Sequence, residues 1–176
     1  MLKHWRELFG AVQSAVGGTA EQENHRLQLA TAVLLIEIMQ SDSGASEVEV
    51  STVERLLRER FDLTADELAP LMLLARSRQE AAHDLHAFTS QLHAAFDAAE
   101  KQRIVEMFWQ VAYADGKLDD HEHHLMRKLG DLLHVGHAAF IGTKLRAATA
   151  QKMSSEPRAD STLRRRDWQP TARSFR

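Results

Sequence analysis

Apolar residues recur along this chain mainly at spacings of three and four, the period of a helix packed on one face. Over Glu21–Ser41 the stripe is Leu27, Ala30, Leu34, Ile38 and Met39, and over Glu47–Arg60 it is Val50, Val53 and Leu57, continued by Phe61. The same reading predicts helices over residues 2–16, from Thr64 onward, over Gln79–Ala95, from Asp97 to Tyr113, over Asp119–Leu133 and over His137–Ala150. Gly17-Gly18 is a helix stop, and Thr64-Ala-Asp-Glu67 has capping-box spacing. Pro70 falls too far inside its helix to be ideal and marks a boundary or a kink. No segment alternates with period two between turn residues, so no strand is predicted. The expected fold class is all-α, a compact bundle of about seven to eight helices.

Composition narrows the chemistry. With 176 residues, one domain with a tail is expected. The absence of cysteine excludes a disulfide framework, a thiol nucleophile, an iron–sulfur cluster and thiolate zinc sites. Charges appear within the first seven residues, with no apolar signal core, and apolar runs such as Ala32–Ile36 are far too short to span a bilayer. A soluble, cytoplasmic protein is expected. Residues 1–150 carry 15 Lys/Arg against 22 Asp/Glu, a net of −7, and read as a helical domain. Residues 151–176 carry seven against three, a net of +4, and read as a basic, disordered tail. An acidic body disfavours nucleic acid and favours cations or basic proteins.

One pattern occurs twice. Asp42 precedes Ser46 by four residues and Glu49 by seven; Asp115 precedes Asp119 by four and Glu122 by seven. The copies lie 73 residues apart, each at the end of an apolar helix and the start of another. Beyond them, Val53, Leu57, Phe61 and Leu63 match Leu125, Leu129, Leu133 and Val135 after a one-residue slip. A duplicated helix–turn–helix unit follows, packed in pseudo-symmetry. A carboxylate at a helix C-terminus opposes the negative dipole end, a conflict that a bound cation removes. Hard divalent ions take oxygen ligands, and two Asp/Glu pairs supply four, so Asp42, Glu49, Asp115 and Glu122 form a candidate site for Ca²⁺, Mg²⁺ or Mn²⁺. Helix capping by Ser46/Glu49 and Asp119/Glu122 explains the glutamates without a metal. An EF-hand does not fit, because its glycine position holds Asp120 and its bidentate glutamate position holds Met126.

Trp109-Gln-Val-Ala-Tyr-Ala-Asp-Gly116, with Leu118, Asp119 and Glu122, resembles the signature of TerB-like tellurite-resistance proteins. So do Asp84-Leu-His-Ala-Phe-Thr89, Leu35-Ile-Glu-Ile-Met39 and Arg60-Phe-Asp-Leu63. The resemblance covers about residues 25–145. It implies an all-helical fold with an acidic patch, proposed to bind divalent metal, acting in bacterial stress responses. Asp115 and Glu122 match best. Asp42 matches as the first-half aspartate, with Ser43 where the family often has glycine. Glu49 fits by spacing, with Glu47 as its alternative, and Asp84 is a further candidate.

Other groups offer less. His121 and His124 share a helix face, as do Asp120 and His124, a set suited to Zn²⁺, Ni²⁺ or Cu²⁺, but the zincin spacing fails and a solvated first turn is the simpler reading. Phe108, Trp109 and Tyr113 read as core. Leu2, Trp5, Leu8, Phe9 and Val12 make an amphipathic segment suited to docking on the bundle. The expected function is a non-enzymatic, metal-binding stress-response module with no catalytic residues. An acidic interaction scaffold with a protein partner is the alternative. A metal-dependent hydrolase comes last, because no general base or substrate cleft can be picked out. Peripheral membrane association stays open, and oligomeric state is not legible.

Overall fold

The computed structural model describes residues 19–41 and 44–155. Within them the chain forms seven α-helices and no strand: α1 Ala20–Met39, α2 Glu47–Phe61, α3 Ala65–Ala81, α4 His86–Ala95, α5 Ala98–Ala112, α6 Asp120–Leu132 and α7 His137–Ser155. The helix expected over residues 2–16, the aspartate at position 42 and tail residues 156–176 lie outside the described residues.

Side chains that satisfy the free N–H groups set the helix starts. Thr19/Gln22, Ser46/Glu49, Asp97/Glu100 and Asp119/Glu122 form reciprocal capping boxes at α1, α2, α5 and α6. At α3 the Glu67 carboxylate accepts from both the N–H and the hydroxyl of Thr64, at 2.9 and 2.8 Å. Those two bonds, the backbone one foremost, hold Glu67 below the usual carboxylate range.

Helix α1 is the axle of the fold and packs against α2, α3, α4, α5 and α6. From Ala30 to Met39 every residue except Glu37 is buried. The expected stripe was therefore too narrow: this segment is enclosed on all sides, as a helix apolar all round must be. Two boundaries also move. The helix expected over Gln79–Ala95 is broken: α3 runs to Ala81, Ala82 is extended (ψ 127°), and α4 starts at His86. The Asp84 carboxylate accepts from the His86 N–H at 2.8 Å, a local bond that competes with continuing the helix. Helix α3 continues through Pro70, and α7 runs to Ser155, five residues past its expected end.

The duplication is deeper than a two-helix unit. Gln40 and Tyr113 end α1 and α5 with the same backbone (φ −99°, ψ 0° and φ −96°, ψ 0°), and each N–H reaches the two equivalent carbonyls, Ile36 and Ile38 or Trp109 and Val111. The offset is 73 there and at both capping boxes. At the far ends of α2 and α6 it becomes 72. Asp62 and His134 take left-handed φ of 52° and 55°, and Leu63 and Val135 donate to Arg58 and Gly130 at 3.1 and 3.0 Å. The starts of α3 and α7 keep that 72-residue offset. Helix α3 packs on α1 as α7 packs on α5, the two most extensive helix pairs, and α2–α5 is mirrored by α6–α1. The repeat is thus a three-helix unit, α1–α3 and α5–α7, joined by α4.

Candidate functional site

The helix starts that hold Glu49 and Glu122 are built alike. Glu49 and Glu122 stand at the third position of α2 and α6, only 2% and 3% exposed. The Glu49 carboxylate accepts from the Ser46 N–H at 2.7 Å, and that of Glu122 from the Asp119 N–H at 3.0 Å. In return Ser46 Oγ accepts from the Glu49 N–H at 3.2 Å, and Asp119 Oδ1 from the Glu122 N–H at 2.7 Å. Burial of a carboxylate is tolerable here because backbone donors satisfy it and the positive helix end faces it.

Asp115 sits differently. It is exposed in the turn after α5, and its Oδ1 accepts from the Lys117 N–H at 2.8 Å. Gly116 turns the chain there at φ 79°. In the first junction Gly44 has a positive φ, 141°. A carboxylate has about four lone-pair sites, so the Lys117 bond leaves Asp115 acceptor capacity facing solvent. Among the described residues, no three or more His, Asp or Glu side chains converge as metal ligands. Glu49, Asp115 and Glu122 are therefore not gathered into one three-carboxylate cluster, and neither are His121, His123 and His124.

Two arrangements went unread in the sequence. A polar cleft of about 470 Å³ opens between α1, the α3–α4 turn and α6, lined by Glu37, Gln79, Glu80, His83, Asp84 and Lys128 among others. Gln79 Nε2 donates to Glu37 Oε2 at 2.7 Å across it. Asp84, a further candidate from the resemblance, lies in this cleft rather than at the junctions. The Glu37–Gln79 pair spans 42 residues, so no local pattern announces it.

The second arrangement surrounds Trp109, fully buried between Tyr113 (ring centroids 5.7 Å apart), Phe140 (5.3 Å) and His123 (6.1 Å). The Lys144 ammonium lies 5.0 Å from the Trp109 ring centroid and 3.4 Å from His123 Nε2. Desolvation first, then the charges of Lys144 and Arg127, hold His123 below the usual histidine range, with Asp120 pulling the other way. Burial raises the Tyr113 hydroxyl. In the first unit the equivalents of Trp109, His123 and Lys144 are Ile36, Val50 and Met72, which is why the duplicated spacing gave no hint of this set.

No helix among the described residues is long and apolar enough to cross a membrane. Searches of curated proteins and of solved structures return no match to this chain. The family model described as tellurite resistance protein TerB matches residues 28–145, more than half of the chain, and its span takes in both junctions and most of the seven helices. With that match, the all-helical fold and the duplicated Asp/Glu junction, the chain belongs to the TerB family of tellurite-resistance proteins.

Proposed function

We propose that this chain is a non-catalytic module of bacterial stress response that binds one divalent cation, Ca²⁺, Mg²⁺ or Mn²⁺, in the cytoplasm. Asp42, Glu49, Asp115 and Glu122 are the candidate ligands in this reading; Glu49, Asp115 and Glu122 do not converge as they stand, so the ion would have to draw them together. The observation that carries it is Asp115, a carboxylate kept exposed on the turn that ends α5, where the helix dipole is unfavourable to a bare anion. The hard oxygen donors of the set suit these ions better than softer metals.

The test is calorimetry with native mass spectrometry on the chelator-stripped full chain. The expected result is one stoichiometric hard-cation site, weakened at least tenfold in Asp115→Asn with helix content unchanged. Absence of stoichiometric binding, or equal affinity in the variant, overturns the proposal.

A second reading, an acidic scaffold for a basic protein, is favoured by the engagement of Glu49 and Glu122 as helix caps. It expects no stoichiometric metal and a salt-sensitive partner.

A further inference from the structure

Helix α7 has two unlike faces. Phe140, Thr143 and Ala147 are buried against the bundle. On the opposite side Ile141, Leu145 and Met153 are exposed, and Leu145 and Met153 are 63% and 74% open. At 3.6 residues per turn, Ile141, Leu145 and Lys152 fall within about 40° of arc, so they form one line along the helix.

The internal repeat supplies a control. The equivalent of Leu145 is Leu73 on α3, exposed to the same degree, 64%. Around Leu73 the chain places Ala69, Arg76 and Glu80; around Leu145 the same positions hold Ile141, Ala148 and Lys152. A lone leucine among charges in the first unit is an apolar line with a basic end in the second. That line leads directly into the basic segment 151–176, which has seven Lys/Arg against three Asp/Glu and adds Trp168 and Phe175.

We infer that the exposed face of α7, together with the basic segment 151–176 that begins in its last turns and counts Lys152 among its seven cations, docks this protein on an anionic lipid surface. Apolar side chains that enter the acyl boundary and basic residues drawn to anionic headgroups are the two signals that reversible membrane attachment requires. Neither suffices alone. Tryptophan and phenylalanine suit the interface. The acidic body, −7 over residues 1–150, is repelled by the same lipids and turns away, which orients the molecule. Nucleic acid gives the apolar line nothing to bury. A second copy would bring two basic segments of like charge together.

The test is flotation of the full chain with vesicles of phosphatidylglycerol in phosphatidylcholine and with phosphatidylcholine alone. Binding is expected only to the anionic vesicles and falls as salt rises. The double change Ile141→Ser with Leu145→Ser, at exposed positions, weakens it at least tenfold. So does replacing Arg164, Arg165 and Arg166 by serine. Leu73→Ser leaves it unchanged, and circular dichroism checks that each variant is folded. Failure to float with anionic vesicles overturns the inference, as does equal loss in Leu73→Ser. A dimer that Leu145→Ser dissociates, without vesicle binding, assigns the face to a second copy instead. Salt-sensitive binding to duplex DNA without vesicle binding assigns the tail to nucleic acid.

Discussion

Glu122 separates a capping role from a ligand role, because glutamine and alanine remove different things. Its carboxylate accepts from the Asp119 N–H at 3.0 Å while its own N–H is satisfied by Asp119 Oδ1 at 2.7 Å. Glu122→Gln keeps an acceptor at the third helix position and loses the charge near the positive helix end, worth about 0.3–1 kcal/mol. Glu122→Ala leaves the part-buried Asp119 N–H without its acceptor, about 1–2 kcal/mol. For a chain of this size each kcal/mol moves Tm by roughly 2–4 °C. The alanine variant is expected to melt roughly 2–8 °C lower in chelator, and the glutamine variant less than about 4 °C lower. Cation at a hundred times Kd adds about 2.7 kcal/mol to the wild type, roughly 5–10 °C. If Glu122 is also a ligand, the glutamine variant loses most of that gain. Melts followed by circular dichroism, with and without Mn²⁺, read both effects. In chelator, a glutamine variant that melts as low as the alanine variant refutes the capping account, because charge rather than hydrogen bonding would then carry the stability.

His123 gives a pH dependence. Its native pKa is depressed, so near pH 6 the unfolded chain binds more protons than the folded one. Its contribution is complete above the unfolded value of about 6.5 and declines as pH falls through the native value. Urea melts from pH 7.5 to 5 should show this decline, and His123→Gln should flatten it; an unchanged slope sinks the assignment. Gly116→Ala meets no neighbour within 4 Å but is forced to keep φ 79°, so its cost of about 1 kcal/mol is backbone strain alone. Equal Tm in that variant would show that the turn relaxes freely.

The parts of the fold legible in the sequence are those fixed by local chemistry. Thr64/Glu67, Ser46/Glu49 and Asp119/Glu122 announce helix starts because a cap reaches only three residues. The twin Asp/Glu junctions were legible for the same reason, together with the one-residue slip beyond them, which the left-handed Asp62 and His134 now mark. The third helix of each unit was legible as a helix but not as part of the repeat. Leu68 and Met72 in α3 correspond to Phe140 and Lys144 in α7, so side chains diverged while backbone register and packing partner stayed. Only tertiary packing closed α1 on all sides, set Gln79 against Glu37, placed Lys144 over Trp109 and left Leu145 in solvent. The physical reason is that a capping bond depends on its own turn of chain, whereas burial depends on which distant helices arrive to cover a face.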